Sequence, residues 1–485
     1  MNAITQYGLT VWSTQPISDR AVLPDTPPGT TLNLYAQACR GQTVPLSFCI
    51  RSSEPCTVKL SVDEGESDVT AWLRWLIPWW QSEKPWHASE YPPVLVPELL
   101  VNDPTLVRVL PDKTNEVRQP VLDTVDLEPI DLPANVTQQV WVSVNVPLYC
   151  RSKRNPITIT VTVGKEAFAF RAVVDVMPFD LAPSPITSSV YYLGRLYGPK
   201  DEQLKTEEQY AADLCSMRNH GITAPVCHED FNVLYRNPAE IARLKKLLGI
   251  WREVGLKTET MYIIASPFSG PNTVPRWIEQ TRQMLAVLSD NGVKEVYAYG
   301  PDEPTAEQMR AHIPRYKAMR DAGLKAFVAV SQRDAAAAQV LGNYLDLVLT
   351  ANPDADTHPW HDTYFVKIGR YDAVYWIQPD QHFRQFYGLD ALASGYDVVC
   401  PFAWEQQFGE SIWNDVDHYY PDHVLGYPAG HGPLETIWLK GIYEASIDCQ
   451  YAATLKAVGG EVPEHAGKNL DDVRAEMIRR ILAKG

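Results

Sequence analysis

The rhythm of apolar positions changes near residue 180. Before it, short runs of β-formers alternate or cluster, as over 44–50, 58–62 and 140–146, and Pro and Gly punctuate them. Of the 38 Pro in the chain, 21 lie at or before Pro185, so short strands with frequent turns predict an N-terminal β-sandwich over residues 1–180. One stretch departs from this pattern. Trp72, Trp75, Trp79, Trp80 and Trp86 crowd around Pro78 and Pro85. They read as an apolar plug between domains, or as a loop reaching over a binding cleft or onto the partner subunit of a homodimer. Residues 176–185 are proline-rich and form a joint.

Past the joint, strand-like apolar runs alternate with helical patterns. Eight strands are expected, at 190–193, 222–226, 261–264, 296–299, 326–330, 345–350, 373–377 and 398–402. The helices between them carry recognisable starts. Asn237-Pro238-Ala239-Glu240 offers an N-cap followed by Pro at the first helical position, and Thr305-Ala306-Glu307-Gln308 is a capping box. Gly323 is placed to end the second of these helices. Eight βα repeats predict an α/β fold, a (β/α)8 TIM barrel over 186–460. A doubly wound sheet would more often carry GxGxxG after its first strand, and none is present. A long helix over 435–458 closes the barrel, and a charged helix over 470–483 lies in a C-terminal helical extension, 461–485.

Charge narrows the partners. Lys plus Arg number 43 against 59 Asp plus Glu, a net charge of −16, which repels phosphate and argues against nucleic acid or an anionic membrane surface. No apolar run reaches the roughly 18 residues of a membrane span. Residues 1–10 hold no basic cluster followed by an apolar core, so a cytoplasmic location is expected. The eight Cys form no CxxC pair and no disulfide framework, and are read as free thiols. The 14 Trp either pack the cores or supply flat platforms that stack on sugar rings.

A barrel places its chemistry at the C-terminal ends of its strands. The fourth strand there runs into Gly300-Pro301-Asp302-Glu303-Pro304. Two prolines restrict the backbone on either side of two adjacent acids, as suits a fixed carboxylate pair. Adjacent carboxylates repel, which favours a proton on one of them and equips it as a general acid. The competing reading is that Asp302 or Glu303 merely caps the next helix. Other strand ends offer Tyr192 and Arg195, His228, Tyr299, then Tyr375, Trp376 and Gln378, and lastly Trp404 and Glu405. Aromatic, acidic and basic groups around one rim are the composition of a sugar-binding cleft. No nucleophile elbow, P-loop or HExxH occurs, and His358-Pro359-Trp360-His361 is too loose for a metal site, so no cofactor and no metal is expected.

These residues resemble glycoside hydrolase family 123. Asp302-Glu303-Pro304 looks like the end of the fourth barrel strand in that family's catalytic domain. Val140-Trp141-Val142-Ser143-Val144-Asn145-Val146-Pro147 resembles the family's "WVxVxVP" strand, and Tyr91-Pro92-Pro93 its "YPD" segment. Met217 to Ile222 resembles an "hRi" phrase, and Tyr427-Pro428 with Gly432-Pro433 the late "YPG…GP" turn. The order of these phrases along the chain adds to their weight. The resemblance departs after that turn. Where the family has "SxRxExxRDGxED", this chain has Trp438, Lys440, Tyr443, Glu444 and Asp448, with Trp438 and Tyr443 at the family's Arg positions.

The resemblance implies a β-N-acetylgalactosaminidase, or a related β-N-acetylhexosaminidase, with a terminal β-linked glycan as substrate. It implies that the 2-acetamido group is the nucleophile, that Glu303 is the acid/base, and that Asp302 orients the acetamido N–H, with net retention. The implied pocket for the acetamido methyl draws on Tyr375, Trp376 and Trp404, and Tyr299 or Tyr375 would donate to the acetamido carbonyl. Two other readings stand beside this one. One is a conventional retaining glycosidase with Glu405 or Asp380 as nucleophile. The other is a carbohydrate-binding barrel without turnover.

Overall fold

The computed structural model describes residues 1–18, 20–82, 93–231, 234–264, 274–330, 343–351, 359–373, 380–418 and 420–484. The β-rich first part forms two sheets. One has eight strands in the order Ile4–Gln6, Leu9–Thr14, Thr43–Ser52, Thr137–Asn145, Thr70–Ser82, Pro93–Val101, Leu434–Thr436 and Gly426–Tyr427. The other has five, Ile130–Leu132, Cys56–Asp63, Arg154–Val163, Glu166–Val176 and Leu34–Ala38. Alternation explains the second sheet. Phe168, Phe170, Ala172 and Val174 are buried on one face of Glu166–Val176, and the residues between them face outward or are partly covered. Phe170 meets Phe48 of the first sheet edge to face at 5.2 Å, so the two sheets share a core.

The first sheet is covered on both faces. Eight of the nine residues of Thr137–Asn145 are buried, which fits a strand with layers on either side better than one facing water. Its last two strands come from 426–436, so the late chain returns to complete the sheet that the early chain began.

The tryptophan-rich stretch is part of this sheet. Thr70–Ser82 is a continuous strand against Thr137–Asn145 and Pro93–Val101, with a register shift at Ile77 and Pro78 that accommodates the proline. Trp75 and Trp79 are fully buried, and the Trp75, Trp79 and Trp80 indole N–H groups donate to Glu128 O, Glu98 Oε2 and Leu110 O. Trp72 to Trp80 are thus strand residues rather than a loop. Trp86 lies outside the described residues.

The second part is a curled parallel sheet. From Tyr191–Tyr192 it runs through Val226–Cys227, Thr260–Ile263, Glu295–Tyr299, Lys325–Val330, Leu347–Thr350, Lys367–Arg370 and Val398–Val399 to Thr187–Ser188. The two edge pieces belong to one run, 187–192, so the sheet curls until both its edges meet on the same stretch of chain. Helices Glu207–Asn219, Pro238–Glu253, Val274–Asp290, Ala306–Ala311 and Ile313–Ala322 connect strands on the outside. Asn237 Oδ1 accepts from the amides of Ala239 and Glu240. Thr305 and Gln308 form the expected capping box, but the helix it opens stops at His312, ahead of Pro314, and Gly323 at φ +99° ends the separate helix Ile313–Ala322.

One strand is misplaced by the sequence pattern. The seventh is Lys367–Arg370, ahead of the expected 373–377, of which Ala373 makes an isolated bridge to Phe402 and 374–377 lie outside the described residues. Gly369 is needed there, because a Cβ on it would sit 2.3 Å from Leu349 Cδ2. Arg370 is 1 % exposed, its guanidinium lying between the Phe386 and Tyr396 rings.

Helix Ile437–Ala457 follows the eighth strand, and Leu470–Lys484 packs on it around Tyr451, Leu455, Met477 and Ile481. All eight Cys are free, and six are buried. No helix among the described residues is long and apolar enough to cross a membrane.

Candidate active site

The interior of the curled sheet is unusually rich in tyrosine. Tyr191, Tyr262, Tyr297, Tyr299 and Tyr371 point inward with Phe327 and Phe402. Tyr262 and Tyr297 stack at 4.9 Å. Tyr191 stands edge-on to Tyr299 at 5.8 Å and to Phe402 at 5.4 Å, near the C-terminal ends of the strands.

Asp302 and Glu303 leave that same end of the fourth strand, and both are exposed. The helix after them is capped by Thr305, whose Oγ1 accepts from the Gln308 amide at 3.3 Å. Neither acid is therefore its cap, and both carboxylates are free for other work. Glu303 has φ +38°, a left-handed conformation uncommon for a residue with a Cβ.

Each carboxylate is held by a phenol. Tyr299 Oη donates to Asp302 Oδ1 at 2.5 Å, and Tyr371 Oη donates to Glu303 Oε1. Burial raises both phenols well above the ordinary tyrosine range, and the carboxylates they face raise them further. Both tyrosines therefore keep their protons and serve as fixed donors. Asp372 follows Tyr371 on the chain. Burial pushes its carboxyl up to about 6, with the charge of Glu303 adding to the shift and the Ala373 amide at 2.8 Å opposing it. Three acids and two donor phenols thus gather at one end of the strands.

Several expected site residues lie elsewhere. Tyr192 is fully buried and points outward, its hydroxyl donating to Asp213 Oδ2 on helix Glu207–Asn219 at 2.9 Å. Tyr191 takes the inward position, because side chains alternate along a strand and a shift of one residue exchanges the faces. Trp404 is also fully buried, fitted over Gly426, where a Cβ would sit 2.8 Å from its Cζ2, so it offers no face to a sugar. Glu405 is 5 % exposed and pairs with Lys205 Nζ at 2.5 Å. It belongs to a buried cluster with Asp213, whose carboxyl burial raises to about 7, with Glu405's charge adding to the rise. A carboxylate sealed and paired in this way cannot reach an anomeric carbon, which removes Glu405 as a nucleophile.

Arg195 pairs with Asp201, and its backbone bonds to Gln203 and Lys205 close the 195–205 loop. Glu229, buried at the end of the second strand, accepts the Leu196 amide of that loop. Burial raises the Glu229 carboxyl to about 7. The His228 imidazole is largely covered, and burial together with the nearby Arg195 charge pushes it down to about 4. Its Nε2 has no hydrogen-bond partner. No hydrogen bond among the described residues joins Arg195 or His228 to the Asp302–Glu303 pair. Tyr375, Trp376 and Gln378 lie outside the described residues, as does the side chain of Asp380.

Tyr191 of the same strand end stands where Tyr192 was expected, and Tyr371 and Asp372 were not anticipated. The signal for the last two was the short run Lys367–Arg370, hidden by its Gly and its buried Arg. Among the described residues no group of three or more His, Cys, Asp or Glu is arranged to hold a metal ion.

The chain matches no protein-family model, and no curated protein sequence matches it. Solved structures do resemble it. A family 123 glycoside hydrolase from Clostridium perfringens, described in terms of glycolipid glycan hydrolysis, superposes with a TM-score of 0.67 at 13% identity, over 98% of this chain and 97% of that one. A Bacteroides uniformis β-glucuronidase reaches a TM-score of 0.33 at 8% identity, over 86% of this chain and 50% of its own. A putative dihydrodipicolinate synthetase from Pseudomonas aeruginosa reaches 0.28 at 10% identity, over 44% and 69%. The first likeness extends over nearly the whole of both chains and shows that this chain has the fold of that hydrolase.

Proposed function

We propose that this protein is a glycoside hydrolase that releases terminal β-linked N-acetylgalactosamine, or a related N-acetylhexosamine, with retention. In this reading the curled sheet is a closed (β/α)8 barrel, preceded by a β-sandwich. The observation that carries it is the Asp302–Glu303 pair at the end of the fourth parallel strand, each carboxylate held by its own tyrosine hydroxyl. The fold shared with the Clostridium perfringens hydrolase supports the same reading.

Two adjacent carboxylates can act on one side of a single sugar, whereas a conventional retaining pair must flank the scissile bond about 5–5.5 Å apart. In the first step the acetamido oxygen attacks the anomeric carbon. The glycosidic C–O bond breaks, and the Glu303 proton passes to the leaving oxygen. Asp302 accepts a hydrogen bond from the acetamido N–H and balances the positive charge of the oxazolinium. Glu303 then takes a proton from water, which opens the ring intermediate at the anomeric carbon and restores the β configuration. Tyr299 and Tyr371 hold the two carboxylates in place while the pair changes charge. Tyr375 and Trp376 remain candidates for the acetamido pocket by their chain position after Asp372, a role that Trp404 cannot fill.

The test is hydrolysis of paired aryl β-GalNAc, β-GlcNAc and β-Gal substrates. Cleavage of the 2-acetamido sugars alone, lost by about 10²–10⁴-fold in Glu303→Gln with the fold intact, is the expected result. Efficient cleavage of the β-Gal substrate, or full activity in Glu303→Gln, would overturn the mechanism.

A further inference from the structure

A cavity of about 810 Å³ lies between the first antiparallel sheet and helices Glu207–Asn219 and Ile437–Ala457. Helix Glu207–Asn219 runs back from the C-terminal ends of the strands, so its last residues, and this cavity beside them, lie at the opposite end from Glu303. We infer that the cavity is a second ligand site and that it takes a sugar carrying a carboxylate.

The sheet wall follows from strand register. Trp72 stands opposite Ser143 and Arg74 opposite Trp141, so all four share one face, and all four line the cavity. Trp141 is buried, and Trp72 is partly exposed. An indole beside hydroxyl and amide side chains suits a pyranose, which has an apolar face and a polar edge. The volume is also that of a small-ligand pocket rather than a packing defect.

Both walls supply charge, Arg74 and Glu435 from the sheet and Lys440 and His220 from the helices. Glu435 Oε2 accepts from Lys440 Nζ at 2.7 Å and from Arg74. Lys440 Nζ also donates to His220 Nε2 at 2.8 Å, while His220 Nδ1 faces Ser216 O at 2.7 Å. That arrangement requires a neutral imidazole with its proton on Nδ1. Over the whole lining, Arg40, Arg74, Arg218 and Lys440 stand against Asp180, Glu435 and Glu444, which leaves one positive charge over in a chain whose net charge is −16. Gln42 adds a donor. Its Oε1 is committed to the Cys39 amide and the Tyr451 hydroxyl, and its buried Nε2 has no partner. A surplus cation, an unused amide donor and an indole face together match a sugar acid better than a neutral sugar or a bare anion.

Isothermal titration of the full chain with galacturonate, galactose and acetate tests this. Galacturonate is expected to bind with a dissociation constant of roughly 1 mM, and galactose and acetate at least about tenfold more weakly. Trp72→Ala is expected to weaken galacturonate binding at least about tenfold. Asn145→Tyr, which puts a larger side chain at a residue that lines the cavity, is expected to abolish it. Glu303→Gln is expected to leave it unchanged, so the result stands apart from the proposed reaction. The inference fails if galacturonate gives no saturable heat, if galactose or acetate binds equally well, if folded Asn145→Tyr still binds, or if Glu303→Gln abolishes binding.

Discussion

The Tyr371 hydroxyl donates to Glu303 Oε1 and so ties the end of the seventh parallel strand to the end of the fourth, 68 residues earlier. Tyr371 is buried and its phenol keeps its proton, so this donor does not come and go with pH. A hydrogen bond to a charged group is worth about 1.5–3 kcal/mol. Tyr371→Phe keeps the ring and removes only the donor. Its kcat on an aryl β-GalNAc substrate is expected to fall roughly 10–100-fold with little change in melting temperature. Unchanged kcat would show that the bond has no part in turnover.

Asp372 offers a separate handle on Glu303. Burial raises its carboxyl to about 6, so above that pH it is ionised and its charge opposes that of Glu303. Asp372→Asn keeps the shape of the side chain and removes both that charge and its titration. The inflection that Asp372 puts into the pH profile of kcat/KM near pH 6 is expected to be absent in the variant. A variant profile that retains the inflection contradicts the coupling.

Tyr191 and Tyr192 show how one residue of register reverses a role. Tyr192 Oη bonds Asp213 between sheet and helix, whereas Tyr191 lies inside against Tyr299. Tyr192→Phe leaves Asp213 short of a donor and is expected to cost about 1–3 kcal/mol of stability, with KM and kcat unchanged. Denaturant titration and steady-state kinetics on one preparation check both halves of this statement. A large rise in KM would return Tyr192 to the site.

Much of the architecture was legible because local signals agree with tertiary packing. The caps at Asn237 and Thr305 and the stop at Gly323 act within one turn, and all three stand where the pattern puts them. The Asp302–Glu303 pair was legible because two prolines and a strand end mark it. The rest depended on distant contacts. Arg370 reads as a surface residue until Phe386 and Tyr396 cover it, so its strand was missed and Tyr371 and Asp372 with it. Trp404 and Glu405 read as rim residues. Only the long-range pairing of Glu405 with Lys205 and the fit of Trp404 over Gly426 show that they are buried.

The acids of the late charged run are structural in the same sense. Asp448 Oδ2 accepts from Arg384 Nε at 2.7 Å and Asp448 Oδ1 from Arg474 Nε at 2.6 Å, with both arginines buried. Arg474 also pairs with Glu444, so the C-terminal helix Leu470–Lys484 is anchored to Ile437–Ala457 by charge as well as by apolar packing. Removing one member leaves buried cations uncompensated. Asp448→Ala is expected to destabilise the chain by about 3–5 kcal/mol, read as a lower denaturant midpoint. A change below about 1 kcal/mol would mean that water or neighbouring acids replace the lost partner.

Glu98 gives the stability of the protein a pH dependence of its own. It is fully buried on the first sheet, where Trp79 Nε1 at 2.6 Å and Gln81 Nε2 at 2.7 Å both donate to Oε2, while Oε1 has no partner. Burial outweighs those bonds and raises the carboxyl from 4.5 to about 8. A folded-state value above the unfolded one means that the folded chain binds the extra proton. Stability from this group is therefore complete below about pH 4 and is lost as the pH rises through about 8. Within that window the slope of one such group approaches about 1.4 kcal/mol per pH unit. Asp213, Glu229 and Asp422, each raised to about 7 by burial, act in the same direction. Glu98→Gln keeps the acceptor for Trp79 and Gln81 and cannot ionise. Melting temperatures measured from pH 5 to 9 are expected to fall less steeply in the variant, which becomes the more stable of the two at the alkaline end. Parallel curves for the two proteins would show that Glu98 does not ionise in this range.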